Sequence, residues 1–575
     1  MFKLFRNLKP YTLAVVLVIV LVAAQAVSEL YLPTLMSDIV DTGIMTGDTG
    51  YILRVGGLML LVALAGMGCA LVATFFSAWV GMGFGRDLRR KVFTRVEGFS
   101  LHEFDIIGTP SLITRTTNDI TQVQMFTMVT MRMLIMAPIM AIGGVVMALQ
   151  KDAKLTWVLA VVIPVLAAVI GLLAGRALPL FKAIQAKIDK INLVLREGLT
   201  GVRVIRAFNR VDHEKKRFDA ANLDLTATSI KVNKLMALMF PLMMLLMNLT
   251  TIAIIWFGAK RIDLGEMQIG SLMAFIQYAA QILFSLLMVS MLFIMLPRAS
   301  ASAGRINEVL SIVPGITDPA TTRAAEDEQG YIEFRNVTFA YPGAEEPAIR
   351  DISFSAKPGE VTAIIGGTGA GKSTLVNLIP RFYDVAAGNI LVDGVDIREM
   401  SQEALRNKLG FVPQKAVLFN DTVASNIRFG RENATDEEVA HAAETAQALE
   451  FILAMPDGFQ SAIAQGGTNL SGGQRQRLAI ARALVRKPEI YVFDDTFSAL
   501  DFRTDAALRA ALRKETARST VIIVAQRVNT VMDADRIIVL DDGQVVGMGT
   551  HRELIRSCEV YREIVSSQLS EEELA

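Results

Sequence analysis

The chain has 575 residues, 57 basic and 57 acidic, so its formal net charge is zero. That balance, with no basic stripe interleaved by aromatics, argues against nucleic acid as a partner. A hydrophobic content of 52% and a mean hydropathy of +0.42 are too apolar for a soluble enzyme of this length.

In chain order, six stretches lack any Asp, Glu, Lys or Arg: 10–28, 55–85, 133–150, 155–175, 235–259 and 267–297. Each is near or above the ~20 residues that a helix needs to cross a ~30 Å hydrocarbon core. Buried helices of a soluble domain rarely come six together at this length, so residues 1–310 are expected to form six transmembrane helices. Lys and Arg set the orientation. Lys3, Arg6 and Lys9 precede the first stretch, segment 86–115 carries Arg86, Arg89, Arg90, Lys91, Arg95 and Arg115, and segment 176–234 is denser still. The alternate connections hold only Arg54, then Lys151 and Lys154, then Lys260 and Arg261. The basic segments are expected to face the cytoplasm, with both termini inside a cell (inner) membrane. No small-residue cleavage site follows the first stretch, which is read as retained. Cys69 and Cys558 are too few for a disulfide framework and read as free thiols.

Two features of this region bear on cargo. Glu29 is an acid inside the first apolar region; it is either functional or sited at the outer interface or paired with a neighbouring helix. Helices five and six are rich in methionine (Met236, Met239, Met243, Met244, Met247, Met273, Met288, Met291, Met295). Flexible thioethers suit a pocket for varied apolar shapes, or simply pack against helices and lipid.

Composition shifts after residue 310. A polar segment through Asp318 and Glu326-Asp327-Glu328 reads as a linker over 311–330. From 331 to 575, short strand-like runs alternate with helical ones, as in an α/β domain: Tyr331–Phe334, Val361–Ile365, Ile490–Phe493, Val521–Val524 and Ile537–Leu540. The run Gly366-Gly367-Thr368-Gly369-Ala370-Gly371-Lys372-Ser373-Thr374 follows one of them. Gly, four free positions, then Gly-Lys-Ser is the phosphate-binding loop pattern. Glycines let backbone N–H groups turn onto phosphate oxygens, Lys372 would reach the β- and γ-phosphates, and Ser373 would hold Mg²⁺. A nucleoside triphosphate is the expected ligand. Further on, Leu470-Ser471-Gly472-Gly473-Gln474 opens a helical run, a second anion site in pattern. Tyr491-Val-Phe-Asp494-Asp495 is an apolar strand ending in two carboxylates, the first suited to Mg²⁺, the second to a water-activating base. Gln414 ends Phe-Val-Pro-Gln, Asp501 closes Ser-Ala-Leu-Asp, and Tyr341 would stack on an adenine ring.

This set, in this order, resembles the nucleotide-binding domain of ATP-binding cassette transporters. With six helices ahead of it, the chain looks like a half-transporter of the exporter type over about residues 10–560. The resemblance implies a six-helix membrane domain with long cytoplasmic extensions, followed by an α/β P-loop ATP-binding cassette domain. It implies that Tyr341 stacks adenine, that Gly366–Thr374 is the Walker A loop, and that Gln414 is the Q-loop, contacting Mg²⁺ and sensing the membrane domain. Leu470–Gln474 would be the signature, Asp494 the Walker B aspartate and Asp501 the D-loop. Coupling helices would lie near Leu101–Thr114 and Val204–Phe218. The family works as a dimer of halves, each ATP lying between one chain's Walker A and the other's signature.

Three positions depart from the family pattern. Asp495 stands where the family has Glu, Gln526 where the Ile-Ala-His-Arg segment has His, and Ala464-Gln465-Gly466-Gly467 replaces Gly-Glu-Arg-Gly. Asp is one methylene shorter, and a ~1 Å misplacement costs ~10²-fold in rate. Gln can hydrogen-bond a phosphate but cannot change charge as imidazole does. Gln465 removes a charge from a coupling-helix contact. With an intact signature, this pattern resembles the degenerate subunit of heterodimeric exporters, whose partner half would carry Glu and His. A slow homodimer is the alternative. Expected cargo is amphipathic: drugs or lipids, as in multidrug efflux. A lipid flippase, a siderophore importer with an exporter fold and a non-transporting regulator are the rivals.

Overall fold

The computed structural model describes residues 1–323 and 329–568, without the side chains of Phe2, Ala174, Ser290, Met291, Phe293 and Ile294. Glu326, Asp327 and Glu328 of the expected linker thus lie outside the described residues, as do positions 569–575. The chain divides into two compact units, Met1–Glu97 with Pro110–Ile312, and Gly98–Thr109 with Val313–Ala575.

The first unit is helical: α1 (Thr12–Asp38), α2 (Thr49–Glu97), α4 (Ile120–Lys151), α5 (Trp157–Thr200), α6 (Val211–Asp263) and α7 (Ile269–Ser311). Among the described residues, six helices are long and apolar enough to cross a membrane, one at each charge-free stretch. They outrun those stretches. α6 has 53 residues, about 80 Å at ~1.5 Å per residue, against ~30 Å of hydrocarbon. The excess is the charged half of the same helix, from Asp212 to Lys234. Leu60, Leu61 and Phe75 on α2 are all more than 60% exposed, as a lipid-facing side requires. The core of the unit joins α1, α4, α6 and α7 around Ala26, Met140, Ile254 and Phe275.

Glu29 is half-buried on α1. Gln25 Nε2 donates to its carboxylate at 2.9 Å, and Gln281 Nε2 on α7 donates to its backbone oxygen at 3.1 Å. The methionines of α6 and α7 divide. Met243 is buried, while Met244, Met247 and Met273 are exposed.

The second unit holds α3 (Leu101–Ile107), the first expected cytoplasmic helix. Ser100 and Glu103 cap it reciprocally, and the second Glu103 oxygen accepts from Gly315 N at 3.1 Å. Tyr383 OH donates to Asp105 on this helix at 3.3 Å. Burial, with the Asp105 charge beside it, pushes the Tyr383 phenol up to about 12, so it stays a donor. The other expected cytoplasmic helix forms as Val202–Ala207, in the first unit.

The rest of the second unit is two sheets. β1 (Ile332–Phe339), β2 (Ile349–Ala356), β4 (Ala387–Val392) and β5 (Val395–Asp396) pair antiparallel in the order β2-β1-β4-β5. The larger sheet runs β10-β9-β3-β8-β7-β6. In it, β3 (Val361–Gly366), β6 (Leu409–Val412), β7 (Ile490–Asp494), β8 (Thr520–Val524) and β9 (Arg536–Asp541) are parallel, and β10 (Gln544–Gly549) closes one edge antiparallel. Every residue of β7 and β8 is buried, because apolar clusters cover both faces of a parallel sheet. Helix α8 (Lys372–Leu378) follows β3, α9 (Gly472–Arg486) precedes β7, and α10 (Phe502–Glu515) follows it.

Candidate nucleotide site

Parallel register builds this site. Val412 pairs with Phe493, Asp494 with Val524, and Val524 with Ile364. The carboxyl ends of β6, β7, β8 and β3 therefore stop at one edge, where ligands of open α/β sheets bind. The residues just past those ends are Gln414, Asp495, Gln526 and the Gly366–Thr374 loop, which are far apart in sequence.

The loop is shaped by its glycines. Gly369 and Gly371 hold φ of +89° and +90°, in the left-handed region. A Cβ on Gly371 would also stand 2.8 Å from Ile349 Cγ2 and 2.9 Å from the Ala348 oxygen. Among the described residues, the N–H groups of Gly369, Gly371 and Lys372 have no backbone acceptor, as an anion cradle requires. Lys372 folds back on the loop, donating to the Gly366 and Gly367 oxygens at 2.8 and 2.6 Å. Burial pushes its ammonium down, and Asp495 and Asp494 partly offset this. Phosphate oxygens, being charged, are stronger acceptors than these two amide carbonyls. Gly371→Ala is expected to lower the melting temperature and remove nucleotide binding, through backbone strain and the close contact with Ile349. Unchanged ATP affinity in a thermal-shift titration would sink this account.

Ser373 Oγ donates to Asp494 Oδ1 at 2.9 Å. Burial pushes the Asp494 carboxyl up, against the Ser373 hydrogen bond. Two hard oxygen donors side by side, one on a buried carboxyl, fit Mg²⁺, which would stabilise the charged form. Asp495 is buried, at φ +46°. Its Oδ2 accepts from Gln526 Nε2 at 2.9 Å and from Gln414 Nε2 at 3.2 Å. Burial raises the Asp495 carboxyl, and the Gln414 and Ser498 hydrogen bonds pull the other way. Gln414 thus turns its amide N–H to Asp495. Tyr341, 38% exposed, bonds Thr374 Oγ1 at 3.0 Å and packs edge-on to Phe339 and Tyr383. Thr368 sits within the loop.

The signature-like run lies apart from this cluster. Ser471 caps α9, accepting from Gln474 N at 3.2 Å, while Gln474 Oε1 accepts from Ser471 N at 2.9 Å. Ser471 and Gly472 are exposed, and among the described residues no hydrogen bond joins 471–474 to the phosphate loop. A Cβ on Gly473 would stand 3.2 Å from the Ala499 oxygen, so this helix end lies beside the segment leading to Asp501. Asp501 caps α10 by accepting from Thr504 N and Oγ1 at 2.9 and 2.8 Å.

Two contacts escaped sequence reasoning. Gln568 clamps the loop after β8, with Nε2 on the Gln526 oxygen at 2.8 Å and Oε1 accepting from Val528 N at 2.9 Å. Arg527 reaches the Ser498 oxygen at 3.1 Å, tying the same loop to the one after β7. Arg527 closes the segment that holds Gln526, but its partner Ser498 lies in another; Gln568 belongs to no contiguous motif. Gln568 follows Gln526 by some forty positions with no pattern linking them.

Both units match known proteins. A family model described as the ABC transporter transmembrane region matches residues 15–286, and one described as ABC transporter matches residues 349–498. The chain is 45% identical over 567 residues to an uncharacterized ABC transporter ATP-binding protein of Mycobacterium tuberculosis, covering 98% of this chain and 97% of that one. It is 32% identical over 516 residues to an ATP-dependent lipid A-core flippase of Syntrophus aciditrophicus, covering 90% and 86%. A solved bacterial Atm1-family ABC exporter with ATP bound matches at TM-score 0.80 and 26% identity, over 99% of both chains. With both family regions in one chain and near-complete coverage of its relatives, this protein belongs to the ABC transporter family, as an exporter with fused transmembrane and nucleotide-binding domains.

Proposed function

We propose that this chain is one half of a heterodimeric exporter, and that its own Walker motifs form the slower of two ATP sites. Lys372 and the Gly366–Thr374 loop bind the phosphates, and Tyr341 stacks the adenine. Ser373, Asp494 and Gln414 would hold Mg²⁺, which would supply charge neutralisation for phosphoryl transfer. Ser471, Gly472, Gly473 and Gln474 complete the partner's site, with Asp501 beside them. Exposure of the signature, apart from its own loop, supports this head-to-tail pairing.

The observation that carries the slow site is the Gln414–Asp495–Gln526 cluster. Asp495 would have to take a proton from the attacking water. Both its neighbours are amides, which hold no exchangeable charge, so no imidazole is present to share or stabilise that proton. The short side chain also sets the carboxylate back from the phosphoryl group. ATP binding closes the dimer and hydrolysis at the partner's site reopens it.

Amphipathic drugs or lipids are the proposed cargo, moved outward from the cytoplasm or inner leaflet. The lipid A-core flippase relative supports a lipid-like class. The distribution of Lys and Arg supports cytoplasmic termini. Native mass spectrometry of the chain, purified from its own cells in mild detergent, is expected to show one copy with a different half-exporter. A dimer of identical chains would overturn the heterodimer and put Asp495 in both sites.

A further inference from the structure

Within the helical unit, α2, α4 and α7 line a half-open cavity of about 270 Å³. Its methionines come mainly from α4: Met128, Met133 and Met136, joined by Met288 of α7. Among the described residues, Arg132 is the one charged side chain that lines it. The neighbouring hydroxyls are engaged, Ser77 with the Met128 oxygen at 2.9 Å and Thr74 with the Ala70 oxygen at 2.6 Å. Arg132 is half-buried and, among the described residues, has no ion pair or hydrogen bond. A guanidinium without an acidic partner at the edge of a spanning segment is available to pair an anion.

Its height in the bilayer follows from the helices. Arg132 is separated from Lys151, at the far end of α4, by about 29 Å of helix at ~1.5 Å per residue. That is about one hydrocarbon thickness. Ser77 and Gly81 of α2 lie against Met128, one turn before Arg132 on α4. Between them Trp79 packs edge-on to Tyr11 at 5.4 Å, an aromatic pair of the kind that sits at a membrane–water interface. About two turns further along α2, Arg86 and Asp87 pair in the polar zone. Arg132 thus lies near the inner edge of the spanning segment, about one turn inside the aromatic pair, with Met133 and Met136 leading from it toward the bilayer interior. By the proposed orientation, this is the cytoplasmic leaflet.

We infer that this cavity is a binding site for an anionic amphiphile, with Arg132 pairing the acidic head and the methionines taking the apolar body. A charged donor fork matches a phosphate or carboxylate, and thioethers adapt to the shape of a chain. Treating the ligand as cargo rests on the export reading; the site itself does not.

The test uses the full complex in phosphatidylcholine nanodiscs, with dodecyl phosphate as the probe and dodecyltrimethylammonium as its cationic match. The wild-type complex is expected to bind the phosphate at least about tenfold tighter than the ammonium. Arg132→Gln should abolish that preference, and Arg132→Lys should keep part of it, which shows that the fold survives substitution. Inorganic phosphate alone should not displace the probe. A preference unchanged in Arg132→Gln, or displacement by inorganic phosphate, would overturn the site. Transport is a separate readout: intact anion-selective binding without ATP-driven movement of the probe would uphold the site and count against export.

Discussion

Lys372→Ala is expected to weaken ATP binding at this chain's own site by about 10²-fold or more. Hydrogen bonds to charged groups contribute ~1.5–3 kcal/mol each, and Lys372 would make two, to the β- and γ-phosphates. In the structure the same ammonium bonds two loop carbonyls. Alanine therefore removes stabilisation from both states, but more from the bound one, where the acceptors are charged. A titration with a fluorescent ATP analogue reads the effect directly. The partner's site, built on its own lysine, serves as an internal control and should keep its affinity. Equal affinity at both sites in the variant would remove the phosphate-loop assignment.

A gain of function should follow from Asp495→Glu combined with Gln526→His. In a complex whose partner site is silenced, hydrolysis is expected to rise about 10²-fold, the lower end of what a general base contributes. Silencing matters, because a working partner site would limit the visible increase to roughly a doubling. Neither change alone should recover much of the rate, since residues that act as a unit are strongly non-additive. Glu restores reach toward the water, while His restores a group that can carry charge. If the paired substitution leaves turnover unchanged, the two amides around Asp495 are not what slows this site.

The sequence displayed the membrane spans clearly because charge marks where hydrocarbon ends. It did not mark where helices end. α6 continues through Lys215, Lys216 and Arg217 without a break, since nothing in those residues opposes helix once water replaces lipid. Arg132 was passed over for a related reason. It bounds a charge-free stretch, and a boundary position looks unremarkable until α2 and α7 close around it. The nucleotide motifs were legible because each is contiguous. What brings Gln414 and Gln526 onto one oxygen of Asp495 is strand register, which no local pattern encodes. The small antiparallel sheet was visible only at Ile332–Phe334 of β1: β4 contains Gly388 and Asn389, poor strand formers, and β5 has two residues.

The backbone at Asp495 has a further consequence. A φ of +46° is strained for most side chains, but aspartate tolerates it several-fold better than glutamate, because its short carboxylate satisfies nearby polar groups. Exchange of Glu for Asp here therefore loses chemistry while relaxing the fold. A subunit freed from hydrolysing would gain rigidity by drifting this way, and selection for folding alone would never push it back. Only a need for turnover would keep the longer acid, so in the proposed heterodimer the identity of this residue would record which half works as the engine.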